Sequence, residues 1–265
     1  MIHRALTCGM LVAAGLVGSA AASPLQAQLS EAVRNVEEGS VRFGFEARPD
    51  VQLCANGVRL GEDRVRWHST DGTNDDDRCE SGWVEVEVRV GAGVVREVEV
   101  LRASDLGRDG AVDFGAVDAA DAAAYLLSLA YEGATGDAAE EAILPAMLAQ
   151  TEGIWPELIE IARDRSVDDG VRKNALFWVG QEAAVAVTQE LTDVVLADDE
   201  DQEIRNAAIF ALSQRKDEGS VSTLMDIART GEQAETRKSA MFWLAQSDAP
   251  GVVRFFEDVL LGRMR

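Results

Sequence analysis

Few residues in this chain have the type and spacing that chemistry needs. Of 265 residues just two are histidines, His3 and His68, which leaves little material for imidazole acid-base work or a polyhistidine metal site. His68 follows Trp67 at the end of an expected strand, where a satisfied surface histidine is the simpler reading than a general base. Four carboxylates, Asp71, Asp75, Asp76 and Asp77, crowd one polar loop, and clustered oxygens are what calcium requires. Gly72 is misplaced for an EF-hand, however, and the acid that should close such a loop is missing, so a solvated loop is expected and calcium is the alternative. Gly91-x-Gly93 has neither a third glycine nor a following helix, and it reads as a hairpin turn and not as a dinucleotide loop. With no P-loop, no Gly-x-Ser-x-Gly and no catalytic pair at a defensible spacing, the expectation is a protein that is not an enzyme, with no cofactor and no metal.

Export chemistry is better represented. The first 27 residues open on His3 and Arg4, pass through an apolar run from Met10 to Val17 and end in small residues, the layout of a secretory leader. Cleavage after Ala22 or after Ala27 both fit, with Ala27 favoured. The apolar run is too short for a membrane span, and Cys8 precedes it, which does not suit a lipid anchor. The expected location is therefore periplasmic or extracellular. In such a compartment Cys54 and Cys79, an even pair without CxxC spacing, are expected to form a disulfide.

Charge narrows the partners. The chain has 47 acidic against 25 basic residues, a formal net charge of -22, and the excess is spread over both halves, with 11 basic against 19 acidic residues in 28–115 and 13 against 28 in 116–265. Nucleic acid is a poor match for that surface. An apolar content of 47 % is enough for a sizeable core.

The elements that must carry these residues fall into two kinds. In 41–46 and 83–90 apolar residues alternate with polar or small ones, and in 83–90 the valines share one face and the charges the other, the period of a half-buried strand. A turn at 91–93 leads into a second run, 94–100, and a further strand is expected through 64–68. Residues 28–115 are thus expected to form a small antiparallel β module.

Beyond 116 the chain repeats itself. The pattern at 171–181 (Val-Arg-Lys-Asn-Ala-Leu-Phe-Trp-Val-Gly-Gln) recurs at 204–214 and again at 236–246, offsets of 33 and 32. Between the copies lies a second apolar register, Leu158, Leu191, Leu224 and Phe256, accompanied by Ile161, Val194, Ile227 and Val259. Two helices per 32 or 33 residues make a solenoid. The stretches 118–130 and 137–150 supply a degenerate first pair, the second of them interrupted by Pro145, and 252–261 reads as a lone capping helix. The fold class expected is α+β: the β module, then an all-α solenoid of about four helix pairs plus the cap, over 116–265.

The residues Asp168-x-x-Val171-Arg172-x-x-Ala175 and Asp201-x-x-Ile204-Arg205-x-x-Ala208, each followed five positions later by a small residue (Gly180, Ser213), resemble the HEAT family, in particular its short bacterial variety also known from phycobilisome lyases. The resemblance covers roughly 117–262. The third copy keeps Arg237, Ala240 and Ala245 but has Gln233 where the aspartate should be. What the resemblance implies is a protein-binding or scaffold role; a lyase of the same repeat type is the enzyme alternative, and a structural or calcium-sensing envelope component is another.

Two ladders follow from the repeat. Arg172, Arg205 and Arg237 lie in the first turn of their helices, where Asp168 and Asp201 are expected to pair with them, and this ladder reads as structural. Phe177, Phe210 and Phe242 sit two residues after the buried alanines, 200° around the helix. Lys173, Asn206 and Lys238 share that side, and Gln181, Gln214 and Gln246 flank it. Either the rings fill gaps between repeats or they line a groove that anchors a protein or peptide partner of unknown identity.

Overall fold

The computed structural model describes residues 24–54, 57–60, 79–102, 111–151, 153–182, 184–215 and 217–263. The expected strand at 64–68, His68 and the acidic loop 71–77 lie outside the described residues, as does most of the leader.

Helix α1 (Pro24–Asn35) comes first and buries Leu29 and Val33. Processing after Ala22 leaves it whole, whereas processing after Ala27 removes its first turn with the half-buried Leu25. Strands β1 (Glu38–Glu46), β2 (Val51–Cys54), β3 (Gly57–Leu60), β4 (Cys79–Ser81), β5 (Trp83–Gly91), β6 (Val94–Leu101) and β7 (Val112–Ala116) follow. They form a four-stranded sheet in the order β6-β5-β1-β7 and a three-stranded sheet in the order β3-β2-β4. Alternation works as the sequence implies: Val84, Val86, Val88 and Val90 of β5 face the core beside Val41, Phe43 and Phe45 of β1. The β5–β6 turn places Ala92 and Gly93 at φ +56° and +72°, the two left-handed residues that a tight hairpin requires, and a side chain at 93 would press on the Arg34 carbonyl. β7, a strand that periodicity did not reveal, pairs parallel to β1, so the larger sheet is mixed where an antiparallel module was expected. In the smaller sheet Cys54 and Cys79 are direct cross-strand partners and are joined by the disulfide.

Ten helices are present among the described residues. The first pair is α2 (Ala119–Ser128) and α3 (Gly136–Leu148), capped by Asp118 and Thr135; α3 runs on through Pro145, which neither ends nor divides it. Then come α4 (Trp155–Arg163) with α5 (Asp169–Gln181), α6 (Ala186–Leu196) with α7 (Gln202–Gln214), α8 (Glu218–Thr230) with α9 (Ala234–Ala245), and the single α10 (Val252–Leu260). Helices α3, α5, α7 and α9 stack as one layer and α4, α6 and α8 as another. Ala175, Ala208 and Ala240 are fully buried. Gly180 lets two helices meet, since a Cβ there would lie 2.9 Å from the Ala211 carbonyl oxygen of α7.

Sheet and helices share one core. Phe43 of β1 meets Tyr125 of α2 edge to face, and the edge strand β6 is covered: Val95 N–H donates to the Gly133 carbonyl, Thr135 N–H to the Val95 carbonyl, and Val98 N–H to the Glu141 carboxylate on α3. An uncovered edge would offer its backbone groups to other chains. At the other end the Arg48 N–H donates to the Leu148 carbonyl and the Gln150 N–H to the Glu46 carbonyl, so the chain after β1 is tied to the end of α3.

Candidate functional site

The layer made by α5, α7 and α9 carries both ladders. Asp168 and Asp201 cap α5 and α7 by accepting the Gly170 and Glu203 N–H groups, while Gln233 makes no side-chain cap on α9. The capping aspartates therefore do not take the arginines, contrary to the expected pairing. Each arginine instead reaches back to the end of the preceding helix. Arg172 Nε donates to the Ala162 carbonyl of α4 (2.9 Å), Arg205 Nη1 to the Val195 carbonyl of α6 (2.6 Å), and Arg237 Nη1 to the Gly231 carbonyl at the end of α8 (2.6 Å). The last carbonyls of a helix lack intrahelical donors and carry its negative dipole end, so a guanidinium there satisfies acceptors and charge together. What each arginine of the ladder meets is a helix end.

Arg172 also holds two carboxylates, Asp169 at 3.3 Å and Glu200 at 2.8 Å. In the acidic run 198–201, Asp198, Asp199 and Asp201 are exposed, but the Glu200 side chain is only 6 % exposed and crosses to the neighbouring repeat. Arg215 was not singled out by the repeat pattern, yet it is buried after α7, where its guanidinium donates to the Glu182 and Ala184 carbonyls, Thr188, Asp217 and Ser220. Asp217 also accepts the Ser220 N–H at the start of α8 and is held below the ordinary carboxylate range; the Ser220 bonds and Arg215 outweigh the upward push of burial, which is the largest single influence. Arg48 joins the same connection from the β side by donating to the Glu182 carboxylate at 3.1 Å. The only hint of Arg215 in the sequence is an arginine two residues before a helix-capping aspartate.

The aromatic ladder is present with a different last rung. Phe177 and Phe210 are half-buried and stack with ring centroids 6.3 Å apart and planes at 13°. The ring that continues the stack is Trp243, 4.8 Å from Phe210, while Phe242 lies edge-on to Trp243 and is 56 % exposed. Among the described residues no further helix follows α9 in its layer, and no ring beyond Trp243 covers Phe242. The final repeat shifts on the other layer too: Phe255, with Arg229 4.9 Å over its face, takes the buried place on α10, and Phe256, expected there from the Leu224 register, is half-buried. Rings 177 and 210 thus fill the gap between repeats, the first of the two readings, and Phe242 remains at the surface.

Among the polar residues of that side, Lys173 is engaged by Glu203 of the next repeat at 3.1 Å and Lys238 by Glu235 of its own helix at 2.7 Å. Asn206 is exposed and accepts from Gln202. Gln181, Gln214 and Gln246 are all exposed, each one helical turn after its phenylalanine. The structure therefore brings together an edge of three amides ending on one exposed aromatic ring. Among the described residues no group of three or more His, Cys, Asp or Glu side chains is placed to hold a metal ion, and no helix is long and apolar enough to cross a membrane.

No curated protein matches the chain. A family model described as HEAT repeats matches residues 155–245, the span from the start of α4 to the end of α9, which takes in the arginine caps, the buried alanines and the stacked rings. With that match and this layering, residues 155–245 are HEAT repeats, a helical-repeat scaffold of the kind that generally mediates protein interactions.

Proposed function

We propose that this protein is an exported scaffold without catalytic activity, which holds a protein or peptide partner along the edge formed by Gln181, Gln214, Gln246 and Phe242. The observation that carries the reading is Phe242, a large ring left 56 % exposed beside a file of exposed amides while the rings before it are packed. Such a ring can anchor a partner segment and the amides can bond its backbone. Export is supported by the leader-like first 27 residues and by the Cys54–Cys79 disulfide, which suits an oxidising compartment.

The test is a photo-crosslinking side chain placed at Gln214 and read in the native cells. A discrete adduct is expected, and Phe242→Ser should abolish it while lowering stability by less than about 1 kcal/mol, as for an exposed site. Phe210→Ser is the contrasting change: its ring lies between Phe177 and Trp243, so truncation should cost about 2 kcal/mol, short of the roughly 3 to 5 kcal/mol of a fully buried ring. Adduct formation unaffected by Phe242→Ser would remove this edge as the binding surface.

A further inference from the structure

Stacked repeats bury one another's apolar sides, and an outermost element stays soluble by turning a polar side to water. Helix α10 does not follow that rule. It packs inward through Val252 and Phe255, both buried, with Phe256 and Val259 half-buried at the margin. Its outward side is apolar too. Val253 is 75 % exposed and Leu260 85 %, two turns or about 10 Å apart on one side of the helix, with Phe256 between them, and Leu261 follows at 60 %. Helix α8 shows what that side does in this array. With Phe255 matched to the buried Leu224, the places of Val253, Phe256 and Leu260 are held on α8 by Ser222, Met225 and Arg229. Met225 and Arg229 are where α8 receives α10: the Arg229 guanidinium lies 4.9 Å over the Phe255 ring, and the Met225 methyl lies beside Gly251. Every exposed residue of α8 is polar or glycine, whereas α10 exposes Val253 and Leu260 on its receiving side.

Charge selects the occupant. Residues 116–265 carry 28 acidic against 13 basic side chains, so most of this surface repels a copy of itself. Over 252–263 the two signs balance, Arg254 and Arg263 against Glu257 and Asp258. The pattern is also self-complementary. When two α10 helices pair antiparallel about a two-fold axis between residues 256 and 257, each Val253 meets the copy's Leu260, Phe256 lies beside the axis, and Arg254 falls within one turn of the copy's Glu257. We propose that this side of α10 is a homodimer interface, filled by α10 of a second copy in antiparallel two-fold pairing. One helix side is at the small end of specific interfaces, so the association is a micromolar equilibrium. None of its residues belongs to the edge of Gln181, Gln214, Gln246 and Phe242, and the proposal does not depend on the partner reading above.

The experiment is sedimentation velocity of the full chain at concentrations from about 1 to about 500 µM, which spans weak homodimers. The sedimentation coefficient should rise from that of a monomer to that of a dimer. Leu260→Lys and Val253→Asp each put a charge on an exposed site, so each should leave the melting temperature unchanged while weakening the dimer at least about tenfold. Combined in one chain they should dimerise more tightly than either alone, because every lysine then faces an aspartate of the other copy. Within one helix the two positions are two turns apart and do not meet. A chain that stays monomeric throughout would leave this side of α10 to a different protein and overturn the assignment. So would a dimer that neither single variant weakens, a double variant no tighter than the single ones, or growth beyond a dimer, which is the mark of head-to-tail stacking.

Discussion

Arg172 in the helical array and Arg89 on the sheet each gather several carboxylates. Arg172 is 3 % exposed and holds Asp169 and Glu200, with its Nε on a helix-end carbonyl. Arg89 is 50 % exposed and spans Glu97, Glu99 and Glu87 on the polar face of β5 and β6. The buried pair ties one repeat to the next and closes a helix, so its loss strands a charge in the interior. The exposed cluster lies across strands whose register is already fixed by the β5–β6 turn and by the alternating valines, and water can replace any one of its members. Stability in the array depends on polar groups at helix ends, whereas in the sheet it depends on apolar pairing between distant segments.

The largest effect should come from the array. Arg172→Ala is expected to cost about 3 to 5 kcal/mol in urea unfolding, because Glu200 is left buried and unpaired. Arg89→Ala should cost under about 1 kcal/mol. Equal losses would erase the contrast. A smaller, regional effect is expected from reducing the Cys54–Cys79 disulfide, which spans a sequence separation of 25. The chain-entropy model assigns such a loop about 3 kcal/mol. Amide exchange should quicken first in β2, β3 and β4 while α7 and α9 keep their protection, since repeat contacts are local. Loss of protection in α9 at the same rate would show that the shared core makes the whole chain one cooperative unit.

The smallest effect concerns pH. Glu140 on α3 has its carboxyl raised above the usual range, first by burial and then by Asp168 and Asp137, with Lys173 opposing. A raised folded-state pKa means that the native protein holds this proton more tightly than the unfolded chain does. Its contribution therefore falls as pH rises from the ordinary carboxylate pKa through the raised one. Glu140→Gln should give a slight gain at neutral pH and none in acid, where the carboxyl is already protonated. A gain of the same size at both pH values would assign the effect to packing.

The array was legible because its contacts recur at a fixed spacing. A period of 33 and 32 residues located α5, α7 and α9, their buried alanines and the arginine ladder, and the alternation of valines located β5 and β6. Glu200 was hidden inside an acidic run that looks solvated, since nothing local distinguishes the one carboxylate that reaches Arg172. Arg215 lay outside the repeated pattern. At the candidate site the amide edge was visible as Gln181, Gln214 and Gln246, but the exchange of Phe242 for Trp243 in the stack was not.

The sequence by itself determined the helices and strands with strong periods, the repeat, and the Cys54–Cys79 pair, because propensity, spacing and capping act within a few residues of one another. Only the tertiary structure decided that β7 joins β1 in parallel, that β6 is sealed by α3, that the arginines end helices instead of binding their capping aspartates, and that Phe242 is exposed. Those outcomes depend on which surfaces meet after the chain has folded back on itself. A side chain is buried or left in water according to neighbours that may lie a hundred residues away, as Glu182 is for Arg48.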